Sequence, residues 1–296
     1  MKKIPLQSKK HYCLIGKFKY FVELLSDSFG KQQAEKMLFI LFEDLLSIKK
    51  TDIFIGDTSL DTQQEKKLVA AVNLLLQNKP IQYITAKAHF YDQVFYVNED
   101  VLIPRPETEE IVKLIIDENC EEKPRILDIG TGSGCIAVSL KHHLPQAEVV
   151  AADTSAAALK IAEKNAGGMM IQFMEIDILS EQSRENIKGV FDIIVSNPPY
   201  IPLSDKSTLA ENITNYEPHA ALFVPDNAPL LFYQAISDFS KKHLKQGGKL
   251  YFEINEVMGE EIQTLLTVND FREIQIIKDM NGKDRFAKAL KNLFDN

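Results

Sequence analysis

The sequence predicts an α/β protein: a Rossmann-like, doubly wound and mostly parallel sheet, with a small N-terminal helical bundle. Short apolar runs alternate with amphipathic helical segments from residue 125 onward, which is typical of strands buried on both faces of a parallel sheet. A glycine-rich turn follows the first of these runs. Before residue 86, the chain carries helical periodicity without an alternating strand pattern.

The N-terminal part, residues 1–85, is predicted to be the helical bundle. Gly30 can end its first helix, and Asp61 with Gln64 forms a capping-box pattern at the start of its third. Apolar residues recur at helical spacing in three segments, 14–29, 32–46 and 61–77.

Residues 86–108 are predicted to be a β-hairpin linker. Lys79–Pro80 begins a segment that we expect to be extended. Two strand-like runs, 89–97 and 101–103, flank Asn98–Asp100, which we expect to form the turn.

Residues 109–296 are predicted to form the sheet domain. After a helix over 109–119, we expect strands at 125–130, 147–153, 171–177, 191–196, 247–254 and 272–278. A final strand, 284–290, follows Asn281–Gly282 and is expected to lie antiparallel beside its predecessor. Helices are expected at 133–143, 155–165, 228–244 and 257–267.

Composition excludes several classes of protein. The 296 residues include 34 basic and 42 acidic side chains, a net charge of −8 that argues against a general nucleic-acid binder. Cys13, Cys120 and Cys135 lack the spacing of a zinc site or a disulfide framework. No run approaches the ~18 apolar residues of a membrane span. No signal-like apolar core follows the basic start Met1–Pro5, so we expect a cytoplasmic protein that does not bind membranes.

A cofactor site is predicted where the first strands end. The run from Asp128 through Gly130, Thr131, Gly132, Ser133 and Gly134 is a strand end, a glycine turn and a helix start. Asp153 ends the next strand, where an acid can receive ribose hydroxyls, although it can also cap the following helix. Asp177 ends the third strand, where it can accept from an adenine amine while Ile178 covers the ring.

The tetrapeptide Asn197-Pro198-Pro199-Tyr200 predicts the acceptor chemistry. It follows an apolar strand, so it lies at the carboxyl edge of the sheet, where open α/β folds place their sites. Two prolines stiffen the loop and remove two backbone donors. What remains is one amide side chain, carbonyl oxygens and an aromatic ring, a set that suits a planar NH2 group.

These motifs together resemble class I S-adenosylmethionine-dependent methyltransferases, and among them the peptide chain release factor N5-glutamine methyltransferases (the PrmC/HemK family). The resemblance covers nearly the whole chain. It includes Pro80–Ile84, the stretch Leu102–Glu109, Tyr216-Glu217-Pro218 and Asp284-Arg285-Phe286, besides the two site motifs. The chain departs from the family pattern at Ala86, Glu107, Asn255 and Asn281, none of which lies in the glycine turn or in Asn197–Tyr200.

The resemblance implies transfer of a methyl group from S-adenosyl-L-methionine to a glutamine amide nitrogen, with S-adenosyl-L-homocysteine as the other product. Asn197, Pro198 and Tyr200 would be catalytic: the Asn197 side-chain oxygen and the Pro198 carbonyl would accept from the substrate NH2, and Tyr200 would pack on the amide plane. Pro199 would complete the substrate site, and Asn197 would also contact the cofactor. The scheme requires no metal and no general base.

Several alternatives remain open at this stage. An adenine N6-methyltransferase acting on nucleic acid presents the same planar amine. A ribosomal protein could carry the glutamine, or the chain could be a non-catalytic binding module. Roles in the site or as a helix cap are equally open for Arg105, Glu107, Thr108 and Glu109, and Glu217 and His219 are expected to be structural or at the substrate rim. We expect a monomer whose N-terminal bundle binds release factors.

Overall fold

The computed structural model describes residues 13–55, 59–120 and 123–292. The start Met1–Pro5, and the outer ends of the two predicted domains, lie outside these residues. The described chain divides into two compact units. One holds the residues up to Lys87 together with Glu211–Tyr216, and the other holds Ala88–Ala210 together with the residues from Glu217 onward.

The elements follow the predicted order along the chain. The helices are α1 Leu14–Phe29, α2 Lys31–Leu46, α3 Lys50–Ile55, α4 Thr62–Leu75, α5 Ile81–Thr85, α6 Thr108–Asn119, α7 Cys135–His143, α8 Ala156–Ala166, α9 Glu181–Arg184, α10 Glu211–Tyr216, α11 Leu231–His243 and α12 Gly259–Val268. The strands are β1 Lys87–Phe90, β2 Gln93–Tyr96, β3 Arg125–Ile129, β4 Glu148–Asp153, β5 Ile171–Glu175, β6 Phe191–Ser196, β7 Ile201–Pro202, β8 Phe223–Val224, β9 Leu244–Glu253, β10 Phe271–Lys278 and β11 Asp284–Lys291. Short 3-10 helices cover Leu203–Thr208 and His219–Ala221.

The predicted fold class is confirmed. Seven strands form one sheet in the order β10-β11-β9-β6-β3-β4-β5. The five strands from β9 to β5 run parallel. The last strand, β11, is antiparallel and inserts between β9 and β10. The chain reverses its direction of winding between β3 and β6, and the carboxyl edge at this point is where such folds bind ligands.

Apolar layers cover both faces of the sheet. Along β3, Leu127 and Ile129 pack into one buried cluster, whereas Ile126 packs into the other. This alternation follows from the two-residue period of a strand. Burial of each such side chain stabilises the fold by about 1.5–3 kcal/mol. The carboxyl edge of the sheet is therefore held by a well-packed core on both faces.

The N-terminal helices form where their sequence signals predict. Gly30 ends α1 with φ of 74°, and its amide donates to the Ser26 carbonyl. The capping box at the start of α4 is confirmed, because Asp61 Oδ1 accepts from Gln64 N at 2.8 Å and Gln64 Oε1 accepts from Asp61 N at 3.0 Å. A separate apolar core unites these helices. Among the described residues, no helix has the length and apolar character that crossing a bilayer requires.

The hairpin prediction was wrong in its turn. The two strands are β1 and β2, and the turn lies at Tyr91–Asp92 rather than at Asn98–Asp100. Tyr91 and Asp92 have φ of 46° and 60°, the left-handed pair that a two-residue hairpin turn requires. Asn98 forms a separate turn after the hairpin, because its Oδ1 accepts from Asp100 N. Residues 101–103 are not a strand.

The extended segment expected from Lys79–Pro80 was also wrong. Pro80 instead precedes a single helical turn, α5, which ends at Ala86 with φ of 56°. A turn this short carries no periodic pattern, so a proline was the only local signal. Helix α10 escaped prediction as well. It folds with the N-terminal helices, and the Tyr216 hydroxyl donates to the Gln77 carbonyl at 2.8 Å.

Candidate active site

The carboxyl ends of β3, β4, β6 and β9 meet at one edge of the sheet. Ile129 pairs with Ala152 on one side and with Ser196 on the other, and Ser196 pairs with Phe252. The next residue on each strand therefore reaches the same edge. These residues are Gly130, Asp153, Asn197 and Glu253.

The glycine turn leaves bare backbone facing open space. Gly130 and Gly132 have φ of 74° and 55°, and a Cβ built on either would meet no atom within 4 Å. Gly134 differs, because its Cβ would lie 3.0 Å from the Ala162 Cβ on α8. The first two glycines thus keep a surface open to a ligand, and the third allows α7 and α8 to pack closely.

Neighbouring backbone fixes the shape of this turn. The amides of Gly130 and Thr131 both donate to the Ala152 carbonyl, at 2.8 and 3.0 Å. Ser133 is tied to the hairpin, because the Asn165 side-chain NH2 donates both to the Ser133 carbonyl and to the Tyr96 carbonyl. A turn held in this way is preorganised for a ligand and loses little entropy on binding.

Asp128 lies fully buried behind the turn. Its Oδ2 accepts from the Thr131 hydroxyl at 2.6 Å and from the Ala137 amide at 3.2 Å, in the first turn of α7. Its Oδ1 has no hydrogen-bond partner within the described chain. Burial raises the pKa of the Asp128 carboxyl to about 7, and the charge of Asp153 adds to this rise. Asp128 therefore both caps α7 and holds one free acceptor behind the glycine turn.

Asp153 joins the ends of two strands. Its Oδ2 accepts from the Gly132 amide at 2.8 Å, and its Oδ1 accepts from the Ser155 amide at 2.9 Å. Burial raises the pKa of the Asp153 carboxyl, and the backbone hydrogen bonds oppose the rise. Ser155, rather than Asp153, is the N-cap of α8, because the Ser155 hydroxyl accepts from Ala158 N. Asp153 keeps lone pairs for a ligand hydroxyl.

Asp177 and Ile178 lie beyond β5, which ends at Glu175, two residues earlier than predicted. The chain turns there because Asp177 Oδ1 accepts from Leu179 N at 2.9 Å. Asp177 is exposed, whereas Ile178 is buried in the core cluster on one face of the sheet. An exposed acid beside a buried apolar side chain is compatible with an adenine edge and face.

Asn197 is half-buried and the following Pro198 is buried. The Asn197 side-chain NH2 donates to the Thr108 hydroxyl oxygen at 3.5 Å. Among the described residues, no donor reaches the Asn197 side-chain oxygen. Tyr200 packs against the core cluster, and burial raises the pKa of its hydroxyl well above the ordinary value. The loop thus presents an acceptor beside an aromatic ring.

Glu253 is not among the residues that the sequence predicts at this edge, and Thr108 stays open there between a role in the site and a helix cap. The Glu253 carboxylate is buried at the end of β9, and it accepts from the Thr108 hydroxyl at 2.6 Å. Burial raises the pKa of Glu253 to about 7. A signal existed, because Glu253 is an acid at a strand end, like the acids of β3 and β4. Thr108 is the first residue of α6, and its bond to Glu253 brings it to this edge.

Glu217 holds the chain that leads into α6. Its side chain is buried, with Oε1 accepting from Arg105 at 2.7 Å and Oε2 accepting from the Ile103 amide at 3.2 Å. Both oxygens of this buried carboxylate are hydrogen-bonded within the chain, one of them to a charged partner. This geometry supports a structural role for Glu217, and Arg105 is its partner. Glu107 and Glu109 lie at the start of α6, and Glu107 provides no side-chain cap.

Two family descriptions match the chain. The PrmC N-terminal domain matches residues 19–85, and the Methyltransferase small domain matches residues 110–218. Both fall within the segments that the sequence assigned to a bundle and to a sheet domain. The match therefore involves helical and sheet parts alike.

Full-length relatives are equally informative. A release factor glutamine methyltransferase from Flavobacterium psychrophilum is 43% identical over 276 residues, covering 91% of this chain and 96% of that protein. One from Bacteroides thetaiotaomicron is 41% identical, covering 91% and 97%. Among solved structures, a methyltransferase from Pyrococcus furiosus superposes with a TM-score of 0.51 at 16% identity, covering 78% of this chain and 100% of that one. This last likeness concerns the fold alone.

Proposed function

The chain belongs to the release factor glutamine methyltransferase family, and from this premise we propose that it methylates peptide chain release factors. The methyl group passes from S-adenosyl-L-methionine to the side-chain amide nitrogen of the glutamine in their Gly-Gly-Gln motif, leaving S-adenosyl-L-homocysteine. The observation that supports the proposal is the orientation of the Asn197 side-chain amide. Its NH2 is engaged by Thr108, so its oxygen is left to accept from a planar amide.

The cofactor end has the features that this methyl donor needs. Gly130 and Gly132 leave backbone open to a ligand, and Asp153 has lone pairs for ribose hydroxyls. Asp177 and Ile178 suit the adenine ring, and the free Oδ1 of Asp128 adds negative potential that favours a cation. When bound, the donor supplies a methyl group on a positively charged sulfur. Thr131 and Ser133 hold the turn in shape beside it.

The acceptor loop would orient the substrate nitrogen. Two hydrogen bonds, from the glutamine NH2 to the Asn197 side-chain oxygen and to the Pro198 carbonyl, would hold the nitrogen in position to receive the methyl group. Both acceptors would also stabilise the positive charge that develops on this nitrogen, until one of its protons leaves to water and the methylated amide is neutral. Pro199 has no N–H to compete for the Pro198 carbonyl. The Tyr200 ring packs against the amide plane.

Each of the predicted domains would have its own role. The helical bundle, residues 1–85, would bind the release factor. Residues 86–108 would link it to residues 109–296, which would catalyse the methyl transfer. The relatives carry the release-factor name, so neither the adenine N6-methyltransferase nor the ribosomal-protein alternative is proposed. We expect the enzyme to act as a monomer in the cytoplasm, without binding nucleic acid directly.

The test is a labelling experiment. The full chain is incubated with methyl-labelled S-adenosyl-L-methionine and a purified release factor, and the labelled residue is mapped by mass spectrometry. Label on the glutamine of the Gly-Gly-Gln motif is expected. A release factor with this glutamine replaced by glutamate is the matched control and should remain unlabelled. Parallel incubations contain DNA, RNA or ribosomal proteins, and label on one of these alone would overturn the proposal.

A further inference from the structure

A chain of three side chains connects the acceptor loop to a buried acid. Glu253 at the end of β9 accepts from the Thr108 hydroxyl at 2.6 Å, and Thr108 accepts from the Asn197 NH2 at 3.5 Å. Thr108 and Glu253 are each about 2% exposed. The three residues are distant in sequence, and the fold brings them to one point of the sheet edge.

Hydrogen-bond chemistry gives this chain a direction. A carboxylate can only accept, so the Thr108 hydroxyl must donate its one proton to Glu253. The Thr108 oxygen then has only lone pairs to offer. Of the two ends of the Asn197 amide, only the NH2 can satisfy it. The oxygen of Asn197 must therefore point the other way.

We propose that Thr108 and Glu253 are positioning residues that fix the rotation of the Asn197 side-chain amide, so that its oxygen rather than its NH2 faces the substrate. This inference rests on the proposed function, because it assigns Asn197 the role of accepting from an NH2 group. Without Thr108 and Glu253, the Asn197 amide can flip and present its NH2, a donor, to the substrate NH2, which is also a donor. That orientation repels the substrate amide nitrogen.

The arrangement depends on the charge of Glu253. Burial raises its pKa to about 7. A protonated Glu253 can donate to the Thr108 oxygen. The Thr108 hydroxyl is then free to donate to the Asn197 oxygen, so the direction of both hydrogen bonds is reversed. The titratable and charged groups around Glu253 are Arg105 and Glu107 before α6, Tyr200 after β6, Tyr233 on α11, Cys135 on α7 and Arg285 on β11.

The first test compares side-chain variants in the full chain. Thr108→Val keeps the shape and removes the hydroxyl, so kcat with a release factor should fall about 10- to 100-fold. The Kd of S-adenosyl-L-methionine should stay within about threefold, because the change orients only the acceptor. Thr108→Ser keeps the hydroxyl and should restore kcat to within about threefold of the original chain.

A matched control removes a different buried hydroxyl. Ser240→Ala on α11 deletes a side-chain oxygen that is equally buried and has no hydrogen-bond partner among the described residues. It should leave kcat unchanged. If Thr108→Val also leaves kcat unchanged, the proposal is overturned. A fall in thermal stability or in cofactor affinity with Thr108→Val, and no recovery with Thr108→Ser, would overturn it too, because Thr108 would then serve folding alone.

The second test follows pH. For the original chain, kcat at saturating substrate should fall as pH drops below about 7, as Glu253 gains its proton. Glu253→Gln cannot ionise but still offers an oxygen to Thr108, so this acid limb should disappear. An acid limb that survives unchanged in Glu253→Gln contradicts the proposed reversal.

A third measurement needs no turnover. The side-chain NH2 signals of Asn197 in a ¹H–¹⁵N spectrum are assigned by their loss in Asn197→Ala. They should shift with pH around 7 in the original chain but not in Glu253→Gln, and Thr108→Val should move them at every pH. Failure of the original chain to methylate release factors refutes the proposed function. Unmoved NH2 signals refute the positioning roles, whatever the substrate.

Discussion

The Gly132 amide donates to Asp153 Oδ2 across 2.8 Å, which joins the glycine turn after β3 to the end of β4. Asp153 Oδ1 accepts at the same time from Ser155 N, at 2.9 Å, where α8 begins. One carboxylate therefore fixes two loops that border the same crevice. The residue proposed to receive ribose hydroxyls therefore also holds in place the two loops of the proposed cofactor site.

Asp153→Ala should affect stability and cofactor binding together. The substitution leaves two backbone amides without their acceptor, which costs about 1–3 kcal/mol in the free energy of unfolding. Affinity for S-adenosyl-L-methionine should fall about 100-fold or more, because the ribose contacts and the shape of the turn are both lost. Urea denaturation and calorimetric titration measure the two effects.

Ser155→Ala is the matched control for that change. Ser155 caps α8 through Ala158 N, so its loss costs about 1 kcal/mol of stability. The Ser155 amide that Asp153 holds remains in place, and cofactor affinity should be unchanged. Equal losses of affinity in the two variants would mean that Asp153 acts only through the stability of α8.

Two glycines of the same turn should respond differently to alanine. Gly134→Ala places a Cβ 3.0 Å from Ala162 at φ of 80°, so steric strain should lower the free energy of unfolding by about 2–4 kcal/mol. Gly132→Ala meets open space, so only its φ of 55° is strained, at about 1 kcal/mol. Yet Gly132→Ala should weaken cofactor binding more than its small effect on stability suggests. Denaturation midpoints and cofactor titrations would separate helix packing at Gly134 from ligand approach at Gly132. The same ratio of lost affinity to lost stability in both variants would contradict these separate roles.

The sheet domain was predictable because its signals are local. Parallel strands buried on both faces are continuous apolar runs, and each is followed by a helix with its own periodicity. Asp128, Gly130, Asp153 and Asn197 fall at strand ends, so the topology alone brings them to one edge. Glu253 ends β9 in the same way, so its position at this edge also follows from the strand pattern.

The remaining features depend on contacts that local sequence does not carry. The hairpin turn at Tyr91–Asp92 contains no glycine, so nothing marked it against Asn98–Asp100. Thr108 and Glu253 are separated by 145 positions, and only the folded sheet brings them together. Helix α10 joins a unit whose other residues precede it by more than a hundred positions. Pairing over such distances is a property of the fold.

Ala86 offers a test of a departure from the family pattern. It ends α5 in the left-handed region, with φ of 56°, where the family resemblance leads us to expect glycine. Ala86→Gly should therefore raise the free energy of unfolding by about 1 kcal/mol, because glycine adopts this φ without strain. Denaturation of the full chain measures the change. A control, Ala71→Gly inside α4, should be destabilising instead, so stabilisation by both changes would contradict the backbone argument.

Stability should decrease as pH rises from about 4 to about 7. Burial raises the pKa of Asp128 and of Glu253 to about 7, above their unfolded values of 3.8 and 4.5. The folded state then holds more protons than the unfolded state between these limits. The contribution of each group is complete below its unfolded pKa, is lost progressively as pH rises toward about 7 at up to about 1.4 kcal/mol per pH unit, and is gone above the folded pKa. His243, whose pKa is lowered by burial from its ordinary value of 6.5, opposes this trend.

Urea denaturation at several pH values would measure that slope. Asp128→Asn and Glu253→Gln should each make the slope shallower by about 1 kcal/mol per pH unit. A slope that is unchanged in both variants would contradict the raised pKa values. The expected activity of the enzyme falls with acid while its stability rises. Loss of kcat below pH 7 therefore cannot be attributed to unfolding.

Asn197→Ala is the sharpest change for the proposed chemistry. It removes the side-chain oxygen that would accept from the substrate NH2 and stabilise the charge on nitrogen, so kcat should fall about 1,000-fold. Cofactor affinity should be largely spared, because the glycine turn and Asp153 remain intact. Single-turnover kinetics and calorimetric titration measure the two quantities. Turnover close to that of the original chain would remove Asn197 from the catalytic site.

Asn255→Ala provides the matched control at the same edge of the sheet. Asn255 follows β9, and its side-chain oxygen accepts from the Val257 amide within its own loop. Its loss removes an amide of the same size without touching Thr108 or Asn197, so kcat should stay within about twofold. Because Glu253 lies two residues before it, an equally large fall in kcat would mean that the geometry of this loop, rather than the oxygen of Asn197, limits methyl transfer.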